Sequence, residues 1–282
     1  MRVPPRQILR KSAATFQRLE TIVIEKPWGR TDILHEFGDF AGQRIGEIWF
    51  THPDGNAAPF MIKFLFTSER LSIQVHPDDD DARAAGLARG KDECWLVMAA
   101  DPGAILGVGL TEKATREAVH SAALDGSIID MVDWRPAAAN DFVYNPAGTI
   151  HAIGGGLTIV EVQQNVDRTY RLYDYGRPRE LHLEEGLQVA STEPVADPRD
   201  CHIDPARDRK LVSGPYFHVL HLTSPVDPEI LTGIDGELTL LPLSADCSVA
   251  GERLRFGEAV LLVDPALIDI APGGRALLCW AP

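Results

Sequence analysis

Four side chains that could hold a divalent cation lie far apart in the sequence. Gln74 and His76 stand in LSIQVH, Glu93 in GKDECWLVM and His151 in PAGTIHAI. Imidazole nitrogen and carboxylate oxygen are ordinary zinc ligands, and a catalytic site built from them keeps a position open for water or substrate. Gln74 would add a neutral oxygen beside His76. Leu71, Ile73 and Val75 alternate with Ser72, Gln74 and His76, as in a half-buried strand whose successive side chains face opposite ways. Ser72, Gln74 and His76 then share a face, turned either to water or to the inside of a barrel. Glu93 begins a run, Cys94-Trp95-Leu96-Val97, in which a carboxylate is costly to bury unless it is paired or bound to a cation. His151 sits between Ile150 and Ala152, just past a turn set by Pro146 and Gly148. A histidine is more often packed or solvated than a ligand, and ligands on separate strands have no tight spacing. The residues alone therefore leave both the metal set and a purely structural reading open.

Short strands must position these groups. RIGEIWFTH, MIKFLFTS, DFVYNPAG, LTIVEVQQN and VLHLTS are rich in β-branched and aromatic residues and closely punctuated by turns. That spacing predicts an all-β sandwich or barrel rather than βαβ units. A helix is predicted from Thr111 to Leu124, with Thr111 as its cap and Ala114, Ala118 and Ala122 on one face. A shorter helix is predicted from Asp80 to Ala88, so the aspartates after Pro77 read as a solvated turn and helix start. Gly154 to Gly156 read as a tight strand connection, not a phosphate loop.

The segment between Thr192 and Ser213 is rich in Pro, Asp and Arg and has no period. The expected organisation is a tail over 1–20, a catalytic barrel over 21–195, a linker over 196–212 and a C-terminal β-domain over 213–282. NDFVYNPAGTIHAI resembles GEAVLLVDPALIDI, which suggests two related barrels. His151 falls opposite Ile268 or Ile270, so the second barrel is expected to lack a polar site.

The chain has 282 residues and a net charge of −14, with 41 acidic against 27 basic residues. That balance argues against nucleic acid as a partner, and an anionic substrate would require locally placed Lys and Arg. Cys94, Cys201, Cys247 and Cys279 form no C-x-x-C pair, which predicts reduced thiols and a cytoplasmic setting. No apolar run approaches a membrane span. MRVPPRQILRK lacks the apolar core of a signal peptide and reads as a surface tail.

Pro146 to His151 resembles the second motif of the cupin superfamily. LSIQVHPDD, GKDECW, PAGTIHAIG and VEVQQNVDRTYRLYDYGR, in that order, resemble class I mannose-6-phosphate isomerases, most closely the short bacterial form. The likeness covers Lys26 to Ala190. It implies a mainly β fold, a cupin-type jelly-roll barrel with a short helical insertion and a smaller C-terminal β-domain like a degenerate second cupin. It also implies one Zn2+ per chain on Gln74, His76, Glu93 and His151, a catalytic Arg171, and Lys63 and Ser72 at the substrate phosphate. Lys91, Glu161 and Asp167 match further pocket groups. The family segment carries Ser before Asp where this chain has Val166, so any hydroxyl role there is lost.

The implied reaction interconverts mannose 6-phosphate and fructose 6-phosphate by moving a proton between C2 and C1 through an enediol. Arginine keeps its proton, so Arg171 would act electrostatically. Without the resemblance it reads as a surface ion pair with Asp167 or Asp174, and Lys63 as a snorkelling lysine. Glu161, Asp167 and Lys91 all stand as candidates for the base. The expected partner is a small sugar phosphate, with no nucleic acid or membrane, in a monomer or homodimer. A non-catalytic sugar-phosphate-binding cupin is the alternative; an iron-dependent cupin oxygenase is a third, disfavoured by the isomerase motifs around the ligand set.

Overall fold

Alternation organises most of the molecule. The computed structural model describes residues 16–225 and 236–282. The first half runs β1 (Phe16–Arg18), β2 (Glu20–Arg30), β3 (Ile45–Thr51), β4 (Phe60–Thr67), β5 (Ile73–Val75), α1 (Asp79–Ala84), β6 (Glu93–Ala100), β7 (Ile105–Leu110), α2 (Arg116–Asp125) and α3 (Ile128–Met131). There follow β8 (Val132–Pro136), β9 (Asp141–Asn145), β10 (His151–Ile153), β11 (Leu157–Gln164), β12 (Tyr170–Tyr173), α4 (Leu183–Val189), β13 (Cys201–His202) and β14 (Arg209–Ser213). The chain ends through β15 (His218–Leu222), β16 (Leu238–Pro242), β17 (Cys247–Val249), β18 (Glu252–Leu254), β19 (Val260–Leu262), β20 (Ile268–Ile270) and β21 (Ala276–Trp280).

Two antiparallel sheets close the first barrel. One has the order β13-β9-β6-β11-β4-β3-β2, the other β12-β5-β10-β7-β8. In the first sheet alternate residues obey a parity. Ile62, Phe64, Phe66, Cys94, Leu96, Phe142, Tyr144, Val160 and Val162 form a core with Val212, Phe217, Val219, Leu241, Leu277 and Cys279 of the C-terminal part. The residues between them, Leu65, Trp95, Val97 and Ile159, face the barrel interior with Leu71, Leu106, Val108 and Ile153 of the second sheet and the loop leading into it. The outer face of that second sheet, with Ile73, Val75 and Leu172, packs under Val119, Ala122, Ala123 and Leu187 of the helices. Ile73 and Val75 of LSIQVH thus face the helices, Ser72, Gln74 and His76 face inward, and Leu71, ahead of the strand, turns inward with them.

The C-terminal strands repeat the arrangement with the sheets β1-β19-β16-β21-β15-β14 and β18-β17-β20. Its interior is apolar, and Ile268 and Ile270 both lie in it. The interior position matched to His151 is thus occupied by an aliphatic side chain. The architecture is the expected cupin-type one.

Several local expectations shift. Helix α2 begins at Arg116 with Thr115 as its cap, the hydroxyl accepting from Ala118 N at 3.1 Å. Thr111 cannot cap it, because Thr111 N and Ala114 N donate to Met131 O and Thr192 O in neighbouring segments. The buried face is Val119, Ala122 and Ala123, with Ala118 exposed. Helix α1 begins one residue early, capped by Asp78, and stops at Ala84 before Gly86 at φ 76°. Residues 16–20, expected within the tail, carry β1 and the start of β2; the rest of that tail lies outside the described residues. The segment 196–212, expected as a linker, carries β13, paired with β9, and most of β14, paired with β15. Among the described residues no helix is long and apolar enough to cross a membrane. All four cysteines are free thiols.

Phe64 is fully buried at the junction of the two parts, in edge-on contact with Phe37, Phe50 and Phe256 at centroid distances of 4.7, 6.0 and 5.7 Å. Replacing it with Ala is expected to cost about 3–5 kcal/mol of unfolding free energy, read from urea denaturation. A loss well under 1 kcal/mol on that order-of-magnitude scale would mean that the junction contributes little.

Candidate active site

At the floor of the first barrel, one ring nitrogen each of His76 and His151 and a Glu93 oxygen lie within 4.8 Å of one another, all on buried side chains. His76 Nε2 is 3.4 Å from Glu93 Oε2, and His151 Nε2 is 3.3 Å from Oε1. His76 Nδ1 lies 2.9 Å from Arg168 O and His151 Nδ1 2.8 Å from Thr149 O. A carbonyl oxygen only accepts, so each Nδ1 carries the proton and each Nε2 turns a lone pair inward. Burial above all, then the Lys91 charge, holds both imidazoles below their ordinary pKa and so in the neutral form a metal needs. Burial alone would raise the Glu93 pKa, but the Lys91 ammonium beside it outweighs that and keeps the carboxylate ionised.

Gln74 completes the set. Strand pairing sets it opposite His151 on one side and Arg171 on the other. Its Nε2 donates toward His151 Nε2 at 3.2 Å, and its Oε1 accepts from Ser72 Oγ at 2.9 Å. A hydroxyl both donates and accepts, so Ser72 can serve either end of the amide, and the oxygen can turn to a cation. Two neutral imidazoles, a carboxylate and an amide oxygen fit a zinc-like dication.

A chain of opposite charges leads from this floor along the first sheet. Lys91 Nζ is 2.7 Å from Glu93 Oε2, 3.0 Å from His76 Nε2 and 3.7 Å from Glu161 Oε1. Lys63 lies 2.9 Å from Glu161 and 3.6 Å from Glu47, and Lys26 lies 3.0 Å from Glu47. Indole N–H groups fix two of the carboxylates: Trp95 donates to Glu161 at 3.1 Å and Trp49 to Glu47 at 2.5 Å. Burial and the Glu93 charge raise the Glu161 pKa against the pull of Lys63 and Lys91. Lys63, which burial alone would discharge, is kept charged by Glu161 and Glu47.

Above lies a cleft with about 140 Å3 of free space. Lys63, Ser72, Gln74, Lys91, Glu93, Glu161, Asp167 and Arg171 all line it, with His76 and His151 buried at its base. The chain's ten nominated site residues thus meet in one place. Asp174, one of the two carboxylates expected to pair with Arg171, is instead held by Arg177 at 2.9 Å and by Arg179 at 2.6 Å. Among the described residues no carboxylate lies within 4.0 Å of the Arg171 guanidinium. Lys26, Trp28, Glu47, Thr169 and Arg179 also line the cleft and were missed. Glu47 carried the signal that marked Glu93, an acid inside an apolar run, IGEIWF.

Barrel, polar interior and apolar second barrel define a cupin-fold protein. No family model matches the chain. It is 32% identical over 242 residues to the mannose-6-phosphate isomerase of Streptococcus mutans, covering 71% of this chain and 76% of that protein. It is 35% identical over 168 residues to a probable mannose-6-phosphate isomerase of Bacillus subtilis, of which it spans about half, 52%. The crystal structure of the Bacillus subtilis mannose 6-phosphate isomerase superposes with a TM-score of 0.76 at 24% identity, covering 95% of this chain and all of that one. A zinc-bound mannose 6-phosphate isomerase superposes with a TM-score of 0.72 at 14% identity, again over 95% of this chain and all of the other. These overlays carry the fold. The sequence likeness carries more: the chain belongs to the mannose-6-phosphate isomerase family and is an aldose–ketose isomerase.

Glu47 gives a test of the charge chain. Burial would raise its pKa, but Lys63, Lys26 and the Trp49 indole bring it from 4.5 to about 2. A depressed carboxylate stabilises the fold above its unfolded pKa, and that contribution is lost as pH falls through the folded one. Glu47→Gln is therefore expected to be less stable than the parent at neutral pH, and the gap should close between pH 4.5 and about 2. Urea midpoints across that range check it; a gap independent of pH would show that the Glu47 charge is not what stabilises.

Proposed function

We propose that the chain interconverts mannose 6-phosphate and fructose 6-phosphate with one zinc ion per chain, held by Gln74, His76, Glu93 and His151. The observation that carries this reading is the convergence of two imidazole lone pairs and the Glu93 carboxylate below a cleft whose wall presents Arg171, which has no carboxylate partner among the described residues. Bound there, zinc would supply Lewis acidity toward the substrate's C1 and C2 oxygens.

The chain's own residues supply the rest. Five cations and four carboxylates line the cleft, so its local charge is positive although the chain carries −14. A dication adds to that excess, which suits a phosphate of about −1.5 to −2 charge. Lys63 and Ser72 stand at the phosphate end of this reading, with Lys26 and Arg179 beside the same cleft. Lys63 is already ion-paired twice, so the grip is shared rather than its alone. Arg171 offers fixed donors to the oxygen that gains charge as a proton leaves C2. Glu161 is assigned the proton transfer to C1 through the enediol, because its raised pKa suits a base that must also give the proton back. Lys91 keeps that carboxylate and Glu93 in a common field, and Asp167 lies on the exposed lip. Trp28, Leu65, Leu71 and Ile153 wall the site against water.

The direct test measures metal content and then fructose 6-phosphate formation from mannose 6-phosphate, with and without a chelator. Zinc near one per chain with chelator-sensitive turnover is expected; metal-free protein that binds the sugar phosphate without converting it would sink the proposal. Arg171→Ala and Glu161→Gln are each expected to lower kcat by about 10²–10³-fold with zinc content unchanged. Equal loss of zinc and turnover would make either residue structural.

A further inference from the structure

Glu93 is flanked on the inner face of the first sheet by two amides. The pairing register sets Gln163 opposite it on β11 and Asn145 opposite it on β9. The two amides behave differently. Gln163 Nε2 is tied to the backbone oxygens of Gln164 and Val166, and its Oε1, like the Oδ1 of Asn145, is buried without a partner. Asn145 Nδ2 donates to Glu93 Oε1 at 3.0 Å. Asn145 is 1% exposed, and its Oδ1 is buried without a hydrogen-bond partner. An amide satisfied at one end only is an expensive choice for a buried strand end, where an apolar residue of the same shape would cost less.

The other restraint on Glu93 is Lys91, which donates to Oε2 at 2.7 Å and also to the His76 lone pair at 3.0 Å. That lone pair cannot serve an ammonium and a metal ion at once. A cation at the floor therefore competes with Lys91, whose flexible stem also reaches toward Glu161. Asn145 makes no such contact with either imidazole, so its hold on Oε1 is compatible with both conditions of the site.

We propose that Asn145 is a positioning residue of the metal centre: its amide fixes the Glu93 carboxylate between His76 and His151 and so sets the affinity of the site for zinc. The inference rests on the metal reading given above. A neutral donor does this without discharging the carboxylate, whereas a second cation would reduce its attraction for the ion. Partners of this kind typically govern about 10–100-fold in metal affinity.

Asn145→Leu keeps the heavy-atom skeleton and removes the donor. Zinc affinity, measured by competition with a chromophoric chelator on the full chain, is expected to fall about 10–100-fold. In the metal-free variant the removal of an unpaired buried carbonyl offsets the loss of the donor to the Glu93 carboxylate, so its Tm is expected to match that of the metal-free parent. Lower affinity together with undiminished metal-free stability is a pattern that simple damage to the fold would not give. If the leucine variant fails to fold, Asn145→Ala carries the same expectation for affinity. A folded variant of either kind that binds zinc within about threefold of the parent, a difference under about 1 kcal/mol, overturns the role of Asn145 and leaves the metal reading standing. A parent that takes up no zinc in the same titration overturns the metal reading, and this inference with it.

Discussion

Lys26, Glu47, Lys63, Glu161, Lys91 and Glu93 alternate in sign along the inner face of one sheet and the segments that lead into it, and most of them are buried. Each of these charges would be costly to bury alone. Each is tolerable because its neighbour has the opposite sign; Lys91 and Glu93 come from one short segment, and the other pairs join separate segments. The pairing of Glu161 with Lys63 and Trp95 fixes which charges meet, so a slip of one residue would turn the whole set into the apolar junction on the other face. The charged row and the register therefore support one another, and the cleft inherits its geometry from both.

The opposite face shows why that sheet is rigid enough to hold such a row. Its Phe, Val, Ile and Leu residues pack against the first C-terminal sheet in a single continuous core. The C-terminal barrel is thus a wall for the first one as well as a copy of it. Comparing the two interiors separates fold from site: where the first barrel has charged groups and histidines inside, the second has Leu, Ile and Val. The same architecture closes without polar groups, so those of the first barrel are not required by the fold. They are held at a cost in stability, and the cleft is what that cost maintains.

Much of this was legible in the residues. The alternation of LSIQVH correctly gave a strand with Ser72, Gln74 and His76 on one face, and the isolated acid before Cys-Trp-Leu-Val correctly marked a buried carboxylate. The four motifs placed the family, and the mismatch of His151 with Ile268 or Ile270 pointed to an apolar second interior. Helix ends were read less well, because Thr111 looks like a cap until the Ala114 amide that its hydroxyl would accept from is seen to donate to Thr192 O. Glu47 was overlooked although it stands in the same kind of context as Glu93. Asn145 offered no signal at all, since a polar residue before a proline reads as an ordinary turn.

The sequence by itself determined the class of fold, the parity of each strand and the kinds of donor available, because these depend on residue type and on a period of two. The tertiary structure decided which donors meet: that both imidazole lone pairs turn to Glu93, that Asp174 goes to Arg177 and Arg179 and leaves Arg171 to the cleft, and that Asn145 reaches Glu93. Those outcomes depend on strand register and on competition among neighbours for the same charge. Neither is a property of any segment alone; both are set only when the sheets have paired.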